Sequence, residues 1–279
     1  SFMDEFRNIR ALLVIVQPGM EGGNAFADIL SGKVNPSGKL SDTWAYKYED
    51  YPSSEKFSHN NGNVETELYD EGIYVGYRYF DTFEVPVRYG FGYGLSYTDF
   101  EITGCALKAV SAEKIRVTAT VRNTGNVSGK EVVQVYASLP GGILEKEAHR
   151  LAAYAKTNEL KPGEAQEVTM EVKMDGLTSY DEKRAAWILE SGFYGIWVGN
   201  SLASAKLCGG IKLDQEVIRR QVRNLFPLKQ ELEEISQEAS KTAKRAAAAA
   251  QQAKEEELTV LNIRGADIAT ETVEYKKNA

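Results

Sequence analysis

The alternation of apolar and polar residues through the middle of the chain narrows its possible folds more than any other feature. Residues 103–213 consist of short runs in which every second residue is apolar, and turn-forming clusters such as 123–126 and 161–164 separate these runs. One run places four apolar residues on the same side of a strand: Ile115, Val117, Ala119 and Val121. About seven such strands in roughly 110 residues predict an immunoglobulin-like β-sandwich.

The residues before this region have a different pattern. Residues 11–16 form a continuous apolar run, which is typical of a strand buried on both faces of a parallel sheet. Residues 21–30 carry apolar side chains at helical spacing, and Gly32 follows as a helix-ending glycine. Residues 41–66 are aromatic and polar without a clear period, which predicts a long packed loop. This part therefore predicts one β-α unit of an α/β domain, followed by a loop.

The pattern changes again after residue 213. Four apolar residues lie at helical spacing before Pro227: Ile218, Val222, Leu225 and Phe226. An alanine run at 246–250 extends a helix-prone stretch, whose second half we expect to be a solvated spacer. Residues 260–263 and 272–275 hint at two late strands that have no obvious partner. We therefore predict a helical connector over 214–256 and an extended linker over 257–279.

Charge and hydropathy exclude several kinds of partner. The chain has 40 acidic and 33 basic residues, a net charge of −7 and no extended run of Lys and Arg, so we expect no binding to nucleic acid or to an anionic membrane surface. No window approaches the ~20 apolar residues of a membrane span. The first residues show no export signal, so we expect a cytoplasmic protein.

The cysteines and histidines are few. Cys105 and Cys208 are too few for a disulfide scaffold, although they lie near the two ends of the predicted sandwich, where two strands could be neighbours. Reduced thiols are the favoured interpretation, and pairing stays open. His59 and His149 have no partners at metal-ligand spacing, so we predict neither a metal site nor a cofactor.

Two groups of longer motifs carry a family resemblance. The first group follows one order along the chain: residues 18–25, PGMEGGNA; 35–40, NPSGKL; 71–81, EGIYVGYRYFD; and 91–98, FGYGLSYT. Together these motifs closely resemble the C-terminal α/β-sandwich domain of glycoside hydrolase family 3, the family of many β-glucosidases. The second group resembles the fibronectin type III-like domain that follows it in that family: residues 123–125, NTG; 129–136, GKEVVQVY; and 160–164, LKPGE. The resemblance covers roughly residues 11–210.

The resemblance has consequences for catalysis. Retaining glycosidases need two carboxyl groups about 5–5.5 Å apart. In family 3 the nucleophile is an aspartate of a barrel domain, and the acid/base is commonly a glutamate upstream of the segment that corresponds to residues 11–16. Asp42, within Ser-Asp-Thr-Trp at 41–44, lies in the wrong domain for the nucleophile and has an extra residue in its motif, so we assign no catalytic residue. The tail resembles the connector into the barrel of bacterial members whose domain order is reversed.

These observations lead to one prediction of architecture and function. We expect the end of a flavodoxin-like α/β sandwich at 1–98, a fibronectin type III-like β-sandwich at 99–213, the helical connector at 214–256 and the linker at 257–279. The function implied by the resemblance is that of a non-catalytic portion of a family 3 hydrolase, which braces a missing catalytic barrel and meets β-glycosides only through the parent enzyme. A stand-alone carbohydrate-binding or scaffolding module is one alternative. An atypical hydrolase that uses Asp42 or Glu71 is another.

A few residues are candidates for specific contacts. The loop 57–63 is the best candidate for approaching a sugar, because it combines amides with an aromatic flank. Its substrate-proximal candidates are His59, Asn60, Asn61 and Asn63. A solvated surface loop is the alternative. We also expect Glu21 to meet free N–H groups at a helix start, and Arg78 to pair with Asp81 or to stack on an aromatic ring.

Overall fold

The computed structural model describes residues 8–226, 228 and 231–273. The region before the sandwich contains little regular structure. It has helix α1 (Gly22–Leu30), helix α2 (Tyr77–Thr82) and an antiparallel pair of strands, β1 (Trp44–Ala45) and β2 (Val87–Tyr89). Short 3₁₀ turns at Tyr48–Asp50 and Phe57–His59 interrupt the long loop.

The helix predicted in this region is confirmed, but the strand is not. Helix α1 ends at Leu30, and Gly32 follows it with a left-handed φ of 75°. Residues 11–16 form no strand, and Val16 is 85% exposed. A strand buried on both faces needs neighbours on both sides, and within the described ranges no strand pairs with this run. The apolar run is therefore left exposed to solvent.

Two sheets face each other in the predicted sandwich. One is antiparallel, in the order β3-β4-β7. Its strands are β3 (Phe100–Ser111), β4 (Lys114–Asn123) and β7 (Ala165–Lys173). The other has the order β13-β11-β10-β5-β6. Its strands are β5 (Val132–Ser138), β6 (Arg150–Lys156), β10 (Gly192–Gly199), β11 (Lys206–Leu213) and β13 (Thr259–Ile263).

A smaller sheet in the order β14-β12-β9-β8 completes the fold. Its strands are β8 (Ser179–Asp181), β9 (Ala186–Leu189), β12 (Val217–Gln221) and β14 (Glu271–Thr272). With the α/β elements before it, the sandwich confirms the predicted fold class of a partial α/β domain followed by an all-β domain.

The core lies between the two large sheets. Every second side chain of β4 is fully buried, as the alternation predicted: Ile115, Val117, Ala119 and Val121. These side chains meet apolar residues of the opposite sheet, among them Val133, Val135, Ile196 and Ile211. The burial of these faces is the main source of stability for the sandwich.

A disulfide joins the two large sheets. Cys105 of β3 and Cys208 of β11 are bonded, with their Cα atoms 5.8 Å apart. The favoured expectation of two reduced thiols is therefore wrong for this structure. The two strands are neighbours in space although 103 positions separate the cysteines, a proximity that follows from the sandwich topology and not from the local sequence.

The tail also differs from its predicted structure. Residues 217–221, which we expected to lie in a helix, form β12, because they pair with β9 and β14. Both late strands have partners as well, since β13 runs parallel to β11 and β14 runs parallel to β12. The last part of the predicted strand at 272–275 lies outside the described residues. The segment 257–273 is thus not an extended linker but an addition to two sheets.

The helix predicted around the alanine run is present as α3 (Ala239–Glu255). The second half of the predicted connector 214–256 is therefore not a solvated spacer, because Ala246, Ala249 and Ala253 are buried and the helix packs on β10 and β11. Small side chains allow this helix to lie close to the strands.

Candidate functional site

The loop predicted to approach a sugar is exposed and held by its own hydrogen bonds. Ser58 and His59 adopt left-handed φ values of 55° and 67°. His59 Nδ1 lies 2.8 Å from the carbonyl oxygen of Asn63. Asn60 Nδ2 donates to the carbonyl oxygen of Ser54 at 2.9 Å. The chain is thus folded into a local turn that presents polar side chains to solvent.

The remaining amides shape the same turn. Asn61 Oδ1 accepts the backbone N–H of Asn63 at 2.9 Å, and Asn63 Oδ1 accepts the backbone N–H of Glu65 at 3.0 Å. Beside them the ring of Phe57 is 60% exposed. The structure therefore brings His59, Asn60, Asn61 and Asn63 together beside an aromatic face. This arrangement can offer stacking and hydrogen bonds on an open surface, and it does not enclose a ligand.

A concave site lies elsewhere, where helix α2 meets the sandwich. A cavity of about 350 Å³ opens there, which we call the seam cavity. It is lined by Thr43, Tyr77, Phe80, Asp81, Glu84, Val85, Pro86, Val87, Gly90, Phe91, Leu202 and Ala203. The rings of Tyr77 and Phe91 lie 4.4 Å apart at its wall. Neither Asp42 nor Glu71, the carboxylates of the atypical-hydrolase alternative, lines it.

The carboxylate at the seam cavity has a partner from the sandwich. Asp81 Oδ2 lies 2.9 Å from Nδ1 of His149, and the His149 ring packs edge-on against Trp197 with centroids 5.0 Å apart. The expected Arg78–Asp81 pair is absent. Arg78 Nε lies 3.6 Å from Glu147 Oε1 instead. The expectation used residues within one turn of helix, whereas both partners come from the 139–149 loop between β5 and β6.

Glu147 is the most buried charge at this seam. Its side chain is fully buried, and it accepts hydrogen bonds from Arg150 Nε at 2.6 Å and from Nη2 at 3.0 Å. Burial alone would raise the pKa of Glu147, but the hydrogen bonds and charge of Arg150, with a smaller contribution from Arg78, bring the pKa below its ordinary value. Such a group holds two segments together and is ill suited to proton transfer near neutral pH.

A second buried ion pair anchors the same loop. Lys146 Nζ contacts Glu190 Oε2, and it also donates to the carbonyl oxygen of Leu144 at 2.9 Å. Burial lowers the pKa of Lys146, and the Glu190 carboxylate partly opposes this effect. Spacing along the chain does not identify the Lys146–Glu190 pair, because 44 positions separate the two residues, whereas Glu147 and Arg150 are only three positions apart.

Two other carboxylates have local structural roles. Glu21 precedes α1 but makes no hydrogen bond to the free N–H groups of the helix, contrary to expectation. Its carboxylate accepts a hydrogen bond from Nδ2 of Asn24 at 2.6 Å instead. Asp42 Oδ1 accepts the backbone N–H of Thr43 at 2.7 Å. Neither contact is a catalytic arrangement.

Two further features of the described residues concern metal ions and membranes. Among them, no group of three His, Cys, Asp or Glu side chains is placed to hold a metal ion. Of the helices in residues 8–226, 228 and 231–273, none has the length and apolar character that crossing a membrane requires.

Two protein-family models match separate parts of the chain. The glycosyl hydrolase family 3 C-terminal domain matches residues 2–77, and the fibronectin type III-like domain matches residues 131–202. The first match covers the exposed apolar run, α1 and the polar loop. The second covers β5 through β10 and so contains most of one face of the sandwich.

Two known proteins with sequences similar to this chain are named as β-glucosidases. A protein named Beta-glucosidase A from Butyrivibrio fibrisolvens is 45% identical over 238 residues, which cover 77% of this chain and 28% of that protein. A Beta-glucosidase from Ruminococcus albus is 43% identical over 235 residues, covering 82% of this chain and 24% of that protein. The chain thus spans about a quarter of the length of these relatives.

A solved structure extends the likeness to the fold. The β-glucosidase 3B of Thermotoga neapolitana, in complex with glucose, superimposes with a TM-score of 0.68 at 41% identity, over 73% of this chain and 28% of that one. Sequence motifs, family models and fold therefore agree. The chain belongs to glycoside hydrolase family 3, and it carries the C-terminal-domain and fibronectin type III-like portion of that family's β-glucosidase-like enzymes.

Proposed function

We propose that this chain is a non-catalytic portion of a β-glucosidase-like enzyme and that it braces a catalytic barrel. The observation that carries this proposal is the apolar surface before the sandwich. Val16 is 85% exposed, Met20 is fully exposed and Tyr69 is 82% exposed. Water-exposed apolar surface costs about 25 cal/mol per Å² relative to buried surface, and contiguous apolar patches mark interaction sites. A further domain that covers this surface would gain that energy.

The chemistry of the described carboxylates supports a non-catalytic role. The seam cavity contains Asp81 and Glu84, and Asp81 is engaged by His149. A retaining glycosidase needs two carboxyl groups on either side of a sugar, with one free to act as a nucleophile. We therefore expect the purified chain to leave an aryl β-glucoside intact. Hydrolysis that Asp42→Asn or Glu71→Gln abolishes would instead establish the atypical-hydrolase alternative.

Binding to a barrel tests the bracing role directly. We would titrate a separately expressed family 3 barrel domain with this chain in a calorimeter and map its contacts by hydrogen exchange. The apolar surface predicts that Val16→Asp with Met20→Asp weakens binding at least about tenfold, equivalent to about 1.4 kcal/mol. Tyr154→Asp is the matched control, because Tyr154 is also exposed but lies on β6 of the sandwich. Equal affinity for the two variants would refute the bracing surface.

The open polar loop favours one second candidate, a carbohydrate-binding module. Phe57 with Asn60 and Asn61 offers a stacking face beside amides. In this case the chain alone would bind cello-oligosaccharides in a calorimeter, with no barrel present. Absence of that binding, together with binding to the barrel, would favour the bracing role.

Two further properties belong to the same proposal. We propose the reversed domain order suggested by the tail, and sequencing of the flanking gene tests it. The cytoplasmic location is also a proposal, and the Cys105–Cys208 disulfide of the structure counts against it, because disulfides are rare in reducing compartments. Alkylation of the protein during cell lysis, followed by mass spectrometry, distinguishes thiols from a disulfide.

A further inference from the structure

We propose that residues 231–245, which we call the strap, fix the α/β portion of the chain against the sandwich. The strap lies outside both segments that match family models, 2–77 and 131–202. It runs between the loop before α2, residues 70–76, and the 139–149 loop of the sandwich. The proposal does not depend on the proposed function, because it concerns how this chain holds its own parts together.

The strap first attaches to the α/β portion through its backbone. The N–H of Ile235 donates to the carbonyl oxygen of Asp70 at 2.9 Å. One residue earlier, the side chain of Glu234 lies against Gly72, where an added Cβ would be only 2.8 Å from Glu234 Oε2. Gly72 has a φ of +57°, so a side chain at this position would be disfavoured by the backbone as well. The glycine leaves room for the strap.

Glu145 then joins three segments at one carboxylate. The hydroxyl of Tyr74, a fully buried residue, donates to Glu145 Oε2 at 2.8 Å. From the strap, Ser236 Oγ donates to Glu145 Oε1, and the N–H of Gln237 donates to Oε2 at 3.4 Å. A carboxylate shared in this way links the α/β portion, the sandwich loop and the strap. Loss of a donor removes one of the hydrogen bonds that this partly buried carboxylate accepts, which weakens the link.

Gln237 and Arg245 also connect the strap to both sides of the seam. The side-chain amide of Gln237 donates to the carbonyl oxygen of Lys146 in the sandwich loop. Arg245 Nη2 donates to Gln237 Oε1 at 2.9 Å, and Nη1 donates to the carbonyl oxygen of Thr82, at the end of α2, at 3.4 Å. The strap therefore contacts both sides of the seam at both of its ends.

A close approach between the strap and the sandwich provides a selective perturbation. A Cβ added to Gly141 would lie 2.5 Å from Cα of Ala243 in helix α3. The clash involves backbone atoms, which cannot move aside without displacing the helix. Gly141 has no left-handed φ, so alanine is strained there only by the helix. Gly141→Ala thus pushes the strap away and removes none of the hydrogen-bonding groups described above.

The test is hydrogen exchange of the full chain, followed by mass spectrometry. We expect Gly141→Ala to raise the exchange rate of residues 70–83 by at least about tenfold and that of 231–245 by a similar factor, while strand β4 keeps its protection. Gly176→Ala is the matched control, because an added Cβ at Gly176 meets no atom within 4 Å. It should leave all three regions unchanged.

Two results would overturn the proposal. One is increased exchange in 231–245 with no change in 70–83, which would mean that the strap holds nothing. The other is unchanged exchange in both regions. If Gly141→Ala also unfolds β4, Ser236→Ala with Gln237→Ala decides the question, because these changes remove the strap's side-chain contacts to Glu145 and Lys146 without adding volume. Increased exchange in 70–83 in that double variant supports the strap, and no increase refutes it.

Discussion

Removal of the Cys105–Cys208 disulfide should destabilise the sandwich substantially. The bond connects β3 with β11 and thus the two large sheets, and 103 positions separate its cysteines. In the chain-entropy model, a cross-link that closes a loop of about 100 residues stabilises the folded state by about 4.7 kcal/mol. Domains are stable by only about 5–15 kcal/mol in total, so this contribution is a large fraction.

Urea unfolding provides the measurement. With a denaturant slope of about 2 kcal/mol per M, a loss of about 4.7 kcal/mol lowers the unfolding midpoint by about 2 M. We would compare the oxidised protein with Cys105→Ala/Cys208→Ala by circular dichroism of the strands. A reductant should lower the midpoint of the wild type toward that of the variant and should leave the variant unchanged. Equal midpoints for the oxidised and reduced wild type would refute the reasoning.

Two further predictions concern the buried charge and the open loop. Because the pKa of Glu147 is lower in the folded protein than its ordinary value of 4.5, its contribution to stability is complete above that value and is lost as the pH falls through the folded value. Glu147→Gln should therefore lower the free energy of unfolding by about 3 kcal/mol at neutral pH and reduce the further loss of stability on acidification. Glu171→Gln, on the exposed face of β7, should have neither effect. Thermal melts from pH 7 to 3 provide the measurement. If the loop contacts sugar, Asn61→Ala in an enzyme that includes a barrel should raise the KM for a β-glucoside at least about threefold, because a hydrogen bond contributes about 1 kcal/mol. Asn126→Ala in the sandwich is the control and should leave KM unchanged. Equal KM values for the two variants would show that the loop does not belong to the site.

The sandwich was predictable because its signal is local. Ile115, Val117, Ala119 and Val121 alternate with polar residues inside a single strand, and all four are fully buried. The same holds for α1, where helical spacing and Gly32 lie within a dozen residues. In both cases the period of the pattern is the period of the element, so the sequence alone was sufficient.

One strand prediction and one helix prediction were wrong, because the structure of each segment depends on distant partners. Residues 11–16 have the composition of a buried strand, but within the described residues no strand lies beside them. Val217–Gln221 has the opposite outcome: its apolar spacing favoured a helix, but it forms a strand because β9 and β14 supply partners on both sides. Apolar runs as short as these fit either element, and tertiary pairing decides between them.

The candidate site was predictable only where its contacts stay within one loop. The amides at 60–63 are close in sequence and stay close in space. The pairing of Asp81 with His149 and of Arg78 with Glu147 crosses from one domain to the other. Helical spacing suggested Arg78 and Asp81 as partners, but each contacts a residue of the sandwich loop instead. Local spacing indicates which residues could pair, and the packing of the two domains determines which pairs form.

The packing of helix α3 against the sandwich could not be predicted from the composition of the tail. Alanine occupies eight of the 17 positions of α3, so the pattern of side-chain size does not indicate which side of the helix faces the protein. The buried positions nevertheless follow a helical stripe: Thr242, Ala246, Ala249 and Ala253. The decisive information is in the partner, because Gly141 lacks the side chain that would block Ala243. A helix of small residues and a glycine a hundred positions away specify the contact together, and neither specifies it alone. If close packing is the reason for the buried alanines of α3, Ala246→Leu should raise the hydrogen-exchange rate of residues 231–245, because the added volume displaces the helix, whereas Ala247→Leu at an exposed position should leave that rate unchanged.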